Sequence, residues 1–217
     1  MRKFTVAAVI MLITLAAYAQ QTATKTFYVN DPKKKDVVTF TSKATLETIV
    51  GQTAEVRGFI TVDPADIAGT AKCKIEVALD SLRSGISMRD KDMKNDFLET
   101  SKFPLTTFEL TKVVSSSQNT LEDKKEVQIS AEGNYTVHGV TKPITVTATL
   151  LYLKESDETK TRLPGDLLHV TANFEVPLSD YGIKRPQFLL LKLEEKQRIS
   201  VDIIGSTGLP AVTLNSK

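Results

Sequence analysis

The feature that most constrains this chain is a two-residue period of apolar side chains. It is clearest at Ala71–Asp80, where Ala71, Cys73, Ile75, Val77 and Leu79 point one way while Lys72, Lys74, Glu76 and Asp80 point the other. A strand projects successive side chains to opposite faces, so this pattern describes a sheet packed on one side and wet on the other. The same alternation returns at Val127–His138, with Val127, Ile129, Ala131, Tyr135 and Val137 against Gln128, Ser130, Glu132, Asn134 and Thr136. It returns again at Ile144–Leu153. Further strands are expected at Thr26–Val29, Val37–Lys43, Glu55–Val62, Leu105–Val113, Leu167–Val176 and Arg198–Ile204, with Phe188–Leu193 completing a last hairpin or bent strand. Thr45–Ile49 reads equally as strand or as one helical turn. Gly133 interrupts an apolar face and predicts a bulge or bend there. About eight antiparallel strands with polar turns fit one β-barrel or sandwich, and closing the sheet removes the edges that long apolar-faced strands would otherwise expose. A barrel of that size either fills its interior with side chains or holds one small ligand.

One stretch breaks the alternation. In Gly85–Phe108, Ile86, Met93 and Phe97 fall seven and then four residues apart, the spacing of one helix face. Arg89, Asp90, Lys91, Asp92, Lys94 and Asp96 lie between them and are expected to face water. Ser87 or Asp90 can cap the start, and Pro104 ends the helix before Phe103. A short amphipathic helix over Ser87–Leu98 either covers an open end of the sheet structure, with Met93 and Phe97 facing inward, or merely bridges two distant strands.

The N-terminus reads as a secretion signal over residues 1–19: Arg2 and Lys3, an uncharged apolar run Phe4–Ala16, and Ala17-Tyr18-Ala19 as a small-x-small cleavage site. The run is too short for a membrane span, so no stable span is expected after cleavage. A periplasmic or secreted location follows, with a barrel domain over 20–204 and a loose tail over 205–217. The chain carries 28 Lys and Arg against 26 Asp and Glu. Losing Arg2 and Lys3 leaves 26 of each sign and no net formal charge. A neutral chain lacks the basic field on which nucleic-acid binding rests, and that class is set aside. Cys73 is the only cysteine, so no internal disulfide forms. Its place on an apolar face predicts a buried, inert thiol.

No catalytic constellation is apparent. His138 and His169 are the only histidines; the first sits in a tight turn beside Gly139 and the second inside an alternating strand, and both positions favour structural hydrogen bonds. No G-x-S-x-G elbow occurs, no Cys/His cluster has metal spacing, and Asp90 and Asp92 read as a solvated helix face. Neither a metal nor a cofactor is expected.

Four motifs in order carry a resemblance. Val38-Thr39-Phe40 comes first. Ser81-Leu82-Arg83-Ser84-Gly85-Ile86 follows, with Arg89-Asp90, Phe97-Leu98, Lys102-Phe103-Pro104 and Phe108. Then come Val137-His138-Gly139-Val140-Thr141-Lys142-Pro143-Ile144 and Ser179-Asp180-Tyr181-Gly182-Ile183. Together they resemble YceI-like proteins over about Thr26 to Ile204. The resemblance implies a secreted or periplasmic, lipocalin-like antiparallel barrel that holds a long isoprenoid chain, of polyprenyl or quinone type, in an apolar tunnel. This chain departs from the family twice. Asp92 stands where many members have His, and Lys43-Ala44-Thr45-Leu46 lacks the His found after the first V-x-F strand.

On this reading the apolar lining comprises Cys73, Ile75, Val77, Leu79, Met93, Phe97, Val127, Ile129, Ile144, Val146 and Leu150. Arg83, Arg89, Lys184 and Arg185 are candidates for an anionic head group, or else form surface salt bridges. The partner expected is an isoprenoid lipid or quinone, and the oligomeric state, including a dimer, stays open. The alternative is a barrel scaffold with a filled interior whose loops bind a protein, for which Leu189-Leu190-Leu191 offers apolar side chains on both strand faces.

Overall fold

The structure, a computed structural model, describes residues 23–188 and 191–214. The leader expected at residues 1–19 lies outside the described residues, as do Leu189 and Leu190; Leu191 is described only as backbone. The alternation does become strands: β1 Lys25–Val29, β2 Val37–Lys43, β3 Thr48–Thr53, β4 Val56–Val62, β5 Lys72–Ala78, β6 Leu105–Ser116, β7 Glu126–Val137, β8 Val140–Leu153, β9 Leu167–Pro177, the short pair β10 Gln187–Phe188 and β11 Leu191–Lys192, and β12 Lys196–Ser206. The sheet order is β1-β4-β5-β6-β7-β8-β9-β12, and β12 pairs back onto β1. The result is a closed, antiparallel, eight-stranded barrel.

Two of the eight wall positions are broken strands. β1 and β2 both pair with β12 on one side; on the other, β1 pairs with β4 and β2 with β3. Asn30–Asp36 forms the break, and its polar groups replace the missing ladder. The Asp36 carboxylate accepts the Ile204 N–H of β12 at 2.9 Å. The Asp31 carboxylate accepts the N–H groups of Lys33 and Lys35 at 2.9 and 2.7 Å and pairs with Arg162 at 2.8 Å. Burial alone would raise the Asp31 carboxyl, but these donors hold it down at about 2.

Curvature comes from bulges and close approaches. The irregularity expected at Gly133 lies on the neighbouring strand: β6 slips register between Leu110 and Lys112, opposite Gly133 and Glu132, and again between Val113 and Ser115. Gly133 serves another need, because a Cβ there would stand 2.4 Å from Phe108 Cζ and 2.6 Å from the Glu109 carbonyl. Gly51 likewise makes room for Phe40, its partner across β2 and β3. The β7–β8 connection is a two-residue turn with His138 at φ 54° and Gly139 at φ 74°, the positive-φ geometry that matches strand twist in a hairpin. His138 Nδ1 lies 3.1 Å from the Tyr181 carbonyl and its ring packs on Phe103 at 4.6 Å.

One end of the barrel is closed. The helical turn α1, Ile67–Thr70, is capped by Asp66, whose carboxylate accepts the Gly69 N–H at 3.0 Å. Asn119 ties α1 to the β6–β7 loop, accepting the Ala68 N–H and donating to Asp66, both at 2.8 Å. These bonds drive Ile67 and Leu121 into a floor shared with Phe27, Val127, Tyr152 and Leu168. A second single turn, α3 at Asp157–Lys160, follows β8 and is fixed by a Ser156–Thr159 capping box. Sequence periodicity could not reveal either turn, since four residues carry no period.

Three expectations about individual residues need correction. Glu76, expected to face water, is 1% exposed, and Arg57 across the β4–β5 pair grips it at 2.9 Å. The last strand runs through Ser206 rather than ending at Ile204, and Ser206 is wholly buried against the Pro164 carbonyl. Leu79 opens a 3-10 turn, Leu79–Ser81, instead of extending β5.

Candidate functional site

The other end of the barrel carries the site, and the segment between β5 and β6 builds it. After the 3-10 turn, Arg83 pairs with Gln52 on β3, each backbone N–H donating to the other's carbonyl at 2.9 and 3.0 Å. This bridge fixes where the next helix starts. Helix α2, Ser87–Asp92, continues as a π-helical turn over Met93–Phe97 and ends at Leu98, whose N–H donates to the Met93 carbonyl. The loop is closed by the Leu79 N–H on the Pro104 carbonyl at 2.9 Å.

The helix start departs from the expected cap. Ile86 occupies the N-cap position with no side-chain bond. Asp90 is buried, at 7% exposed, and faces back into the protein rather than to water. Its Oδ1 accepts the Ser84 N–H at 2.7 Å and the Ser84 hydroxyl at 2.5 Å. Burial opposes ionisation here, but these bonds, with Lys94 and Arg83 nearby, hold the carboxyl below its ordinary range. Asp90 thereby ties the helix to the strand-like segment before it.

Met93 and Phe97 face the barrel, packed against a cluster that includes Leu82, Val137, Tyr181 and Ile183. They line an outer chamber of about 460 Å³ together with Leu79, Phe40 and Ile49. Ile86 and Met88 also line it but are 52% and 76% exposed, so the chamber opens to solvent beside the start of α2. Leu46, 73% exposed, lies next to Glu47 on the same rim.

Below it lies an inner chamber of about 150 Å³, walled by Cys73, Ile75, Val77, Ile129, Val146 and Leu150 among others. Thr106, Thr107 and the Tyr135 phenol, with the Cys73 thiol, are the polar groups of its otherwise aliphatic and aromatic wall. Tyr135 and Ile199 line both chambers and so form the waist between them. The Tyr135 ring meets Phe174 edge-on at 5.3 Å and Tyr181 at 5.7 Å. Burial pushes its phenol up to about 12, and burial does the same to the Cys73 thiol. The half-buried surface of Cys73 is wall of the inner chamber. A barrel interior packed solid with side chains is not what the structure has.

The structure thus divides the eleven expected lining residues. Six surround the inner chamber, while Leu79, Met93 and Phe97 surround the outer one. Val127 is fully buried in the floor, and Ile144 packs among core aromatics; neither borders a chamber. Of the four expected cations, Arg89 alone lines a chamber. Its guanidinium is engaged by the Glu47 carboxylate at 3.4 Å, the Ser84 hydroxyl at 2.8 Å and the Ser84 carbonyl at 2.9 Å. Arg83 is exposed and donates to the carbonyls of Asp80 and Leu82, Lys184 is exposed, and Arg185 stands outside the lining.

Among the lining residues that escaped the sequence reading, two of the outer chamber are both polar and buried. Ser42 and Gln197 are 1% and 8% exposed and both border the outer chamber. Each is the one polar residue on an inward face, Ser42 after Val38 and Phe40, and Gln197 before Ile199, Val201 and Ile203. A polar residue on the apolar parity of a strand was the available signal.

Comparison with known proteins fits this geometry. The family profile described as the YceI-like domain matches residues 28–204. A UPF0312 protein of Vibrio cholerae is 36% identical over 101 residues, 46% of this chain and 49% of that protein. One of Pseudomonas fluorescens is 35% identical over 118 residues, 54% and 55% of the two chains. The chain therefore spans about half the length of these relatives in alignment. Among solved structures, BcnA of Burkholderia cenocepacia superposes with a TM-score of 0.61 at 13% identity, covering 81% of this chain and 99% of that one. A polyisoprenoid binding domain from Saccharophagus degradans, implicated in plant cell wall breakdown, gives 0.60 at 12% identity, covering 83% and 97%. At these identities the structural likeness speaks to the fold, while the profile spans nearly the whole barrel, from β1 into β12. With well over half of its residues matched by that profile, the chain belongs to the YceI-like family.

Proposed function

We propose that this chain is a non-catalytic carrier or sequestering protein for an isoprenoid lipid, of polyprenyl or quinone type, working in the periplasm or outside the cell after loss of residues 1–19. The observation that carries this reading is the continuous apolar lining from the rim at Met88 through the waist at Tyr135 to the inner wall at Leu150. A flexible hydrocarbon chain suits two chambers joined by a waist better than a rigid compact ligand does. Each buried CH₂ is worth roughly 0.8 kcal/mol, and that gain must exceed the cost of ordering the chain. The family membership and the polyisoprenoid binding domain among the fold relatives support the same class of ligand. A carrier function needs no catalytic group. Among the described residues, no cluster of three or more His, Cys, Asp or Glu is placed to hold a metal.

The test is organic extraction of protein purified from its native host, followed by mass spectrometry, with Ala148→Leu as the paired variant. Ala148 is buried and borders the inner chamber, so added methyl groups there occupy ligand space. Wild type is expected to release a stoichiometric isoprenoid and the variant to retain less of it or a shorter chain. Native protein free of lipid, together with equal uptake of added lipid by wild type and variant, would overturn the proposal.

A further inference from the structure

Resting on that reading, the geometry assigns the polar end of the ligand: we infer that it is an uncharged oxygen group, a hydroxyl or carbonyl, held in the outer chamber by Ser42 and Gln197, with the hydrocarbon running inward past Tyr135. Three observations converge on it. The Ser42 hydroxyl is buried, borders the chamber and has no hydrogen-bond partner. Buried hydroxyls are nearly always paired, so this one points to a group that arrives with the ligand.

Gln197 stands beside it. Arg198 of β12 pairs with Thr41 of β2, so the next step toward the mouth sets Gln197 abreast of Ser42, both on the inward face. The Gln197 Nε2 donates to the Glu194 carbonyl at 2.8 Å, which orients the carboxamide and leaves a second N–H and its carbonyl oxygen for another partner. Ser42 and Gln197 together offer donors and acceptors, as a hydroxyl or carbonyl requires.

The third observation is the charge of the same wall. Its ionisable residues are Arg89, Glu47 and Asp92, one cation against two anions, and the Arg89 guanidinium is already bonded to Glu47 and Ser84. A phosphate or carboxylate entering here meets a wall whose one lining cation is already committed and whose carboxylates outnumber it. A neutral end meets neither obstacle.

The experiment compares geranylgeraniol with geranylgeranyl diphosphate, which share a hydrocarbon chain, by titration into lipid-stripped wild type, Ser42→Ala and Gln197→Leu. Wild type is expected to bind the alcohol at least about tenfold more tightly than the diphosphate. Losing one net hydrogen bond should weaken the alcohol about five- to tenfold in each variant and leave the diphosphate unchanged. Ser42→Ala should also melt no lower than wild type without ligand, since it removes an unpaired hydroxyl, so a binding loss there is not a folding loss. Equal or tighter binding of the diphosphate to wild type, or unchanged alcohol affinity in both variants, overturns the assignment while leaving the carrier reading intact. If neither compound binds wild type, the carrier reading falls and this inference with it.

Discussion

The sharpest consequence of a closed floor and a helical cover is that two phenylalanines should behave differently when truncated. Phe27 is fully buried in the floor, edge-on to Tyr152 at 6.2 Å. Phe97 is half-buried and borders a space that already exists. Phe27→Ala loses the transfer energy of the ring and leaves a new void, an expected cost of about 3–5 kcal/mol. Phe97→Ala opens no closed void, so the transfer term alone applies. Half of a phenylalanine's roughly 200 Å², at about 25 cal/mol per Å², gives about 2.5 kcal/mol. For a chain of this size each kcal/mol shifts the melting temperature by about 2–4 °C. Phe97→Ala should therefore melt about 5–10 °C below wild type when stripped of lipid, and Phe27→Ala further below. Saturating lipid reverses the ranking of interest. At a ligand concentration of 100 Kd, wild type gains about 2.7 kcal/mol. Phe27→Ala should keep that increment, while Phe97→Ala loses much of it through a faster off-rate. The assay is a thermal melt of each protein with and without geranylgeraniol, beside a dissociation rate. Equal losses for both variants without lipid, or an undiminished lipid increment in Phe97→Ala, would refute the distinction between floor and cover.

Two further outcomes follow from buried ionisable groups. Asp31 is held down at about 2 against an ordinary 3.8, so the stability it contributes is present above pH 4 and lost as pH falls from about 4 toward 2; the melting temperatures of wild type and Asp31→Asn should differ at neutral pH and converge across that window. Cys73, pushed up to about 12 by burial, should resist a thiol-specific maleimide at pH 8 in the folded protein and react at once in denaturant; rapid labelling of the native state would contradict its place in the inner wall.

The alternating segments were legible because a strand's side-chain period is two, whatever surrounds it. Parity alone put Cys73, Ile75, Val77, Ile129, Val146 and Leu150 on one face, and that face is the inner wall. The helix stripe at Met93 and Phe97 was legible for the same reason at a different period. Parity says nothing about depth along the barrel axis, so Val127 at the floor and Ile144 among the core aromatics read like chamber lining. Nor does it say which charges meet. Asp90 looked solvated on a helical wheel, yet Ser84, six residues earlier, folds back to bond it.

What the sequence by itself determined, then, is the local order: strands, one interrupting helix, inward and outward faces, and family motifs in series. Only the tertiary structure decided that β1 and β2 share one wall position, with Asp36 bonding Ile204 across the break. It also decided that Tyr135 divides the interior in two, and that Ser42 comes level with Gln197 from more than 150 residues away. The reason is physical. Local periodicity records how one segment divides between water and core, whereas strand register and ring closure set which distant segments share a wall, and no single segment carries that information.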